Sequence, residues 1–225
     1  MTTVRPARAR LPLPRRAPAA APAGHVRSRT RRGALAAALL LALAGLPALA
    51  PAARAQEVAT FVVESPTLRT GRPMPRDYAP DGRNVSPPLT WRGLPDGTRE
   101  LVVICQDHGA GNPPPWVHWV VYNVPATVDG LPEGIPFDPS DPMPAGLEGV
   151  AQGNNSWGLR MYRGPAPPEG SLHHYDFTVL ALDAELDLPP GLTRAEVLEA
   201  ARGHVIGEGH LVPVYRRQPA NAEEP

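Results

Sequence analysis

Four side chains that can carry acid–base or hydrogen-bonding chemistry stand where apolar runs meet Gly/Pro-rich loops: Asp107, His118, His173 and Tyr175. Imidazole and phenol groups donate hydrogen bonds to oxyanions, and glycine-rich loops can add backbone N–H groups. A carboxylate beside an imidazole orients the ring and fixes its tautomer. Together these residue types predict a small pocket for an anion such as phosphate or carboxylate.

The same residue types leave a second interpretation open, a hydrolase. An Asp–His pair is general-base machinery, and Ser156 or Ser171 in the neighbouring loops would complete a catalytic triad. The chain lacks the G-x-S-x-G sequence of a nucleophile elbow, so we expect a binding protein and not an enzyme.

A metal site is a further alternative, because His108, His118, His173 and His174 could act as ligands together with Asp107. Adjacent residues of a strand point to opposite faces, so His173 and His174 cannot serve one ion. The chain also lacks H-x-x-x-H and C-x-x-C spacings. We therefore expect neither a metal nor another cofactor.

Strands must position these groups, and apolar runs predict where the strands lie. The predicted strands cover residues 61–63, 101–107, 116–124, 173–183 and 210–216. Alternation places Asp107 on an apolar face of its strand, and it places His173 and Tyr175 on one side of theirs. By the same rule His118 shares a side with Val120.

One helix is predicted near the C-terminus. Thr193 followed by Glu196 forms a capping box, and Gly203 supplies a stop signal. Several strands, long Pro/Gly loops and one late helix are typical of an antiparallel β-sandwich with a helical appendage. Cys105, the only cysteine, lies in an apolar run and is predicted to be buried and unpaired.

Charge is distributed unevenly along the 225 residues. Residues 1–56 contain 10 arginines and no acid, whereas the remainder contains the other 12 of the 22 arginines and all 22 acidic residues. The body of the chain therefore carries a net charge of about −10 before its histidines are counted. Nucleic-acid binding needs a basic face, so we expect no nucleic-acid partner.

The first 55 residues are typical of a targeting segment. Arginines within residues 27–32 precede an apolar run over residues 33–50, and the small residues around Arg54 predict cleavage between Ala55 and Gln56. Both a Sec signal and a twin-arginine signal fit this segment. We expect a periplasmic or secreted protein without a membrane span after processing. Its predicted parts are the N-terminal extension with the signal (1–55), a domain (56–217) and a polar tail (218–225).

Six segments carry motifs in order along the chain: Asn84–Trp91, Trp116–Trp119, Gly153–Gly158, Tyr162–Gly170, His173–Phe177 and Ala200–Val205. Together they resemble the phosphatidylethanolamine-binding protein family, in its bacterial Raf kinase inhibitor-like branch. The resemblance implies a Greek-key β-sandwich and a pocket that takes a phosphate-like group, a carboxylate or a phospholipid headgroup. It implies no shared catalytic activity. The family's regulatory members add one alternative, inhibition of a protein partner such as a protease, although no reactive-site loop can be identified. It assigns the pocket to Asp107, Trp116, His118, Gly164, Pro167, Pro168, His173 and Tyr175.

Two departures from the family pattern bear on ligand preference. The family's D-P-D-A-P is here Asp107–Gly111, with Gly109 in place of the second acid, and the arginine of H-R-Y is His174. One fewer carboxylate predicts a pocket that repels anions less. Ligand specificity is expected to differ in the segment from His108 to Pro115.

Overall fold

The structure, a computed structural model, describes residues 57–111, 115–136 and 140–218. The predicted signal segment, its cleavage between Ala55 and Gln56, and the tail beyond Gln218 lie outside the described residues. No helix in these three ranges is long and apolar enough to cross a membrane.

The described residues form ten β-strands, one short 3-10 turn at Arg76–Tyr78 and one α-helix, α1, at Arg194–Ala200. The strands are β1 (Ala59–Thr60), β2 (Val62–Glu64), β3 (Leu89–Arg92), β4 (Glu100–Asp107), β5 (Trp116–Pro125), β6 (Gly130–Leu131), β7 (Ala151–Gln152), β8 (Leu172–Leu182), β9 (Val205–Leu211) and β10 (Val214–Arg216). The prediction of a mainly β chain with one late helix is confirmed.

Seven strands form one large sheet, in the order β1-β9-β8-β4-β5-β7, with β10 paired to the start of β8. Strand β4 pairs antiparallel with β5 on one side and β8 on the other, and all of its residues are buried. The β1–β9 pair is parallel, which departs from a purely antiparallel sheet. Strands β2, β3 and β6 form a second, small sheet.

The large sheet buries apolar side chains on both faces. On the face that we call the front, Cys105 of β4 packs in one cluster with Trp91 of the small sheet. On the back, Ile104 packs in a second cluster with Val197 of α1. Fully burying one such side chain stabilises the fold by about 1.5–3 kcal/mol, so strand alternation fixes which residues face which layer. Cys105 is buried and unpaired, as predicted.

The prediction of one strand over residues 210–216 is wrong in its bounds. Strand β9 already begins at Val205, and a break at Val212-Pro213 separates it from β10. Proline has no N–H to donate to a sheet. The carbonyl of Pro213 instead accepts the N–H of Tyr175 at 3.0 Å, which holds β10 beside the start of β8.

The capping box predicted for the helix is present. The Thr193 hydroxyl accepts the N–H of Glu196, and the Glu196 carboxylate accepts the N–H of Thr193. The helix ends earlier than predicted, with Ala201 as its C-cap. Gly203 follows in a turn with φ 83°, a left-handed conformation that suits glycine, and leads the chain into β9.

Glu100 is a buried carboxyl group that anchors the back of the sheet. One of its oxygens accepts the N–H of Leu186 at 2.9 Å, and the other accepts the N–H of Asn123 at 3.3 Å. Asn123 has φ 58°, at an irregularity of β5 where asparagine tolerates the left-handed region. Burial, together with the nearby Glu185 and Asp187, raises the pKa of Glu100.

Replacing Glu100 by Gln should flatten the pH dependence of stability. The folded wild type holds the Glu100 proton more tightly than the unfolded chain does, so its stability falls as pH rises from 4.5 through the raised pKa. Glutamine cannot ionise, so the loss of stability that comes from Glu100 should vanish in the variant. Urea unfolding of both proteins across this range measures the difference, and parallel stability curves would contradict the assignment.

Candidate functional site

A cleft of about 270 Å³ opens at the ends of β4, β5 and β8. Seven of the eight predicted pocket residues line it, and the eighth, Gly164, lies outside its lining. The lining residues are Asp107, Ala110, Gly111, Trp116, His118, Trp157, Ala166, Pro167, Pro168, His173 and Tyr175.

A bulge in β5 brings His118 into this cleft. Opposite β4, Cys105 pairs with Trp119 and the next residue, Gln106, pairs with Val117, so His118 is an extra residue in the ladder. One extra residue turns the following side chains to the other face. The prediction that His118 shares a side with Val120 is therefore wrong, because Val120 packs at the back and His118 lies at the front.

The Asp107 carboxylate organises the floor of the cleft. Its Oδ2 accepts from Nδ1 of His173 at 2.6 Å, and its Oδ1 accepts the N–H of Gly109 at 2.8 Å. Tyr175 pairs with Asp107 across the β4–β8 ladder. Burial, with Asp107 as the next cause, raises the pKa of the Tyr175 phenol far above its ordinary range. The histidine that Asp107 orients is thus His173.

His118 is held from the opposite side of the cleft. Its ring is almost fully buried, and Nδ1 lies 2.6 Å from the carbonyl oxygen of Arg163. A carbonyl only accepts, so Nδ1 carries the proton. Burial lowers the pKa of the imidazole. It outweighs the backbone hydrogen bonds to Arg163 and Gly164 and the charge of Asp107, all of which favour the charged form. At neutral pH the ring is therefore neutral, with an unprotonated Nε2.

Aromatic and proline side chains form the walls. Trp157 meets Trp116 and His118 edge to face, with ring centroids 5.2 Å apart in both pairs. The Arg163 guanidinium carbon lies 4.7 Å from the Trp157 ring centroid, a cation–π contact. Trp157 was not among the predicted pocket residues, although its position in the Gly153–Gly158 motif was a signal that could have found it.

Gly164 supports the cleft by close packing. Its N–H donates to Oδ1 of Asn84 at 2.9 Å, and a Cβ at this position would lie 1.8 Å from the carbonyl oxygen of Tyr78. Only glycine permits this approach. The packing fixes the preceding residue, Arg163, whose carbonyl holds His118.

The serines considered for a hydrolase lie elsewhere. Ser156 Oγ accepts the N–H of Val117 at 2.8 Å, and Ser171 N–H donates to the carbonyl of Pro168. Neither lines the cleft, and its lining within the described residues contains no serine, threonine or cysteine.

The histidines considered for a metal site also lie in different places. His118 and His173 line the cleft, whereas His174 is exposed and His108 contacts residues of the back face. In the part of the chain that the structure describes, no three His, Cys, Asp or Glu side chains are arranged to hold a metal ion.

Comparison with known proteins identifies relatives of this fold. A UPF0098 protein of Methanothermobacter thermautotrophicus is 44% identical over 144 residues, which are 64% of this chain and 91% of that protein. The UPF0098 protein YbhB of Escherichia coli is 41% identical over 127 residues, which are 56% of this chain and 73% of YbhB.

The crystal structure of Escherichia coli YbcL, described as a new member of the mammalian phosphatidylethanolamine-binding protein family, is also similar. It matches with a TM-score of 0.64 and 33% identity over 70% of this chain and 99% of YbcL. The family model for phosphatidylethanolamine-binding proteins matches residues 64–216, more than half of the chain. The chain belongs to the phosphatidylethanolamine-binding protein family.

Proposed function

We propose that this chain is an exported binding protein that holds the phosphate or carboxylate group of a small ligand in the cleft. One observation carries the proposal: protein acceptors occupy Nδ1 of both histidines, Asp107 for His173 and the Arg163 carbonyl for His118. Each ring therefore has Nε2 left for a ligand. Two fixed imidazoles on one small cleft are suited to a group with several oxygens.

The two rings have different roles in this proposal. The neutral His118 presents a lone pair at Nε2. This lone pair can accept a hydrogen bond from a proton-bearing oxygen, such as the P–OH of a phosphate. His173, paired with a carboxylate, donates from Nε2 whenever its ring carries two protons. An anion that keeps one proton satisfies both rings at once.

The walls and the volume limit the rest of the ligand. Trp116, Trp157 and Pro167 are apolar, so an organic group attached to the anion gains from contact with them. A cleft of about 270 Å³ accommodates a headgroup-sized molecule. Ligand pockets for drug-sized molecules start at about 300 Å³. We infer an O-phosphorylated or carboxylated small molecule, with phosphoethanolamine as the representative that the family name supplies.

Export and a non-catalytic role are parts of the same proposal. The Arg-rich, then apolar N-terminal sequence with its predicted cleavage between Ala55 and Gln56 supports a periplasmic or secreted location. The cleft lining of the described residues has acid–base groups but no serine, threonine or cysteine to attack a substrate, which supports binding without turnover. Regulation of a protein partner, such as a protease, stays a prediction from the family resemblance.

Phosphate and O-phosphoethanolamine should each raise the melting temperature, and His118→Ala should abolish the rise. A ligand at 100 times its Kd stabilises a protein by about 2.7 kcal/mol, which for a chain of this size is a rise of roughly 5–10 °C. His204→Ala is the matched control, because His204 is exposed and pairs with Asp183. No rise with phosphate, phosphoethanolamine or acetate, or an equal rise in His118→Ala, would overturn the proposal.

Gly109→Asp should weaken phosphate binding by restoring a second carboxylate. A Cβ at Gly109 would lie 3.2 Å from Oδ1 of Asp107 and 3.6 Å from Nδ1 of His173, so the added charge stands beside the cleft floor. We expect an affinity about tenfold lower, the effect of roughly 1.4 kcal/mol of repulsion. Gly109→Asn has the same shape without the charge and should bind more tightly than the Asp variant. Calorimetry that finds equal affinities for the two variants would contradict the electrostatic assignment.

A further inference from the structure

Polar residues gather on the back of the large sheet, behind the cleft. Gln106 of β4 pairs with Asp176 of β8, and Thr178 of β8 pairs with His210 of β9. All four continue the back face, and none lines the cleft. The proposed function does not use this cluster.

Asp176 contacts two imidazoles, one through each oxygen. Its Oδ1 lies 3.0 Å from Nδ1 of His210, which is also 3.4 Å from the Thr178 hydroxyl. Its Oδ2 lies 3.7 Å from Nε2 of His108, within ion-pair distance but longer than a hydrogen bond. The carboxylate is mostly buried, with a side-chain exposure of 15%, and His108 is largely exposed.

The protonation state of His108 decides which neighbour its Nε2 contacts. Nε2 lies 3.2 Å from the amide nitrogen of the buried Gln106, a donor, so the neutral ring accepts there and cannot donate to Asp176. The amide oxygen Oε1 of Gln106 has no hydrogen-bond partner within the described residues. A proton on Nε2 reverses the preference, because the ring then donates to Asp176 and the Gln106 amide can turn its oxygen toward it.

His108 also belongs to the turn that walls the cleft. The turn runs from Asp107 to Gly111 and is closed at the front by the bond from Gly109 N–H to the Asp107 carboxylate. Ala110 and Gly111 of the same turn line the cleft. A contact made by the His108 side chain at the back therefore acts on the position of the cleft wall at the front.

We propose that Asp176 is a positioning residue for the cleft, which acts from the back face through protonated His108 to hold the Asp107–Gly111 turn against the ligand. The groups that face His108 are Gln106 from β4 and Asp176 from β8, and His210 from β9 shares the carboxylate. Acidification closes the contact, so the ligand is held more firmly at low pH. The proposal rests on the proposed function for the ligand, but the turn can be observed without one.

Amide hydrogen exchange of Gly109, measured on the full chain without ligand, tests the contact with the turn. At about pH 5.5, one unit below the ordinary histidine pKa of about 6.5, Asp176→Asn should raise the exchange rate about three- to fivefold, as expected for loss of a partly exposed ion pair. At about pH 8 the variant and the wild type should exchange alike. His108→Gln should reproduce this pattern. Because His108 is exposed, this variant can replace Asp176→Asn in the test if Asp176→Asn does not fold.

His210→Gln is the matched control, because it removes the other imidazole from Asp176 and leaves the turn intact. It should leave Gly109 exchange unchanged. Where Gly109 exchanges faster, the affinity for inorganic phosphate should be lower. In Asp176→Asn it should fall about three- to fivefold, at low pH only. Equal effects of the Asp176 and His210 variants, or effects independent of pH, would overturn the proposal. If wild type binds no phosphate, the proposed function fails while the exchange data still decide on the contact.

Discussion

One extra residue in β5 determines which side chains of the large sheet reach the cleft. Without the bulge, strand alternation would carry the His118 ring to the back face, where Val120 and Tyr122 are buried. With it, the ring lies edge to face against Tyr175 at the front, with centroids 5.1 Å apart. The pairing of two imidazoles across one cleft depends on this local change in register.

The loops complete the site by holding the bulged ring. Tyr162 donates its hydroxyl to the Tyr78 carbonyl, and Gly164 approaches the same backbone too closely for any side chain. Between them, the Arg163 carbonyl fixes the His118 tautomer. Because the ring is also buried, its pKa is lowered and it acts as an acceptor. We infer that the cleft favours ligands that bring both negative charge and a proton.

Local signals explain what could be predicted from the sequence. The apolar runs of β4, β5 and β8 and the Thr193–Glu196 capping box depend on neighbouring residues, so the sequence predicts these elements. The bulge was not found, because Trp116–Trp119 is apolar on both faces and the pattern does not set a register there. The tautomer of His118 is set by the carbonyl of Arg163, which is distant in sequence, and its neutral state is set by burial, which local patterns do not encode. Pro213 was a usable signal for the break between β9 and β10.

The most direct measurement is the ¹⁵N NMR spectrum of the His118 ring across pH, with and without inorganic phosphate. We predict a neutral ring at neutral pH, with the proton on Nδ1, a pKa below 6.5, and an Nε2 resonance that moves when phosphate is added. A doubly protonated ring at neutral pH, or an Nε2 resonance that phosphate leaves in place, would contradict a ligand site built on a neutral His118.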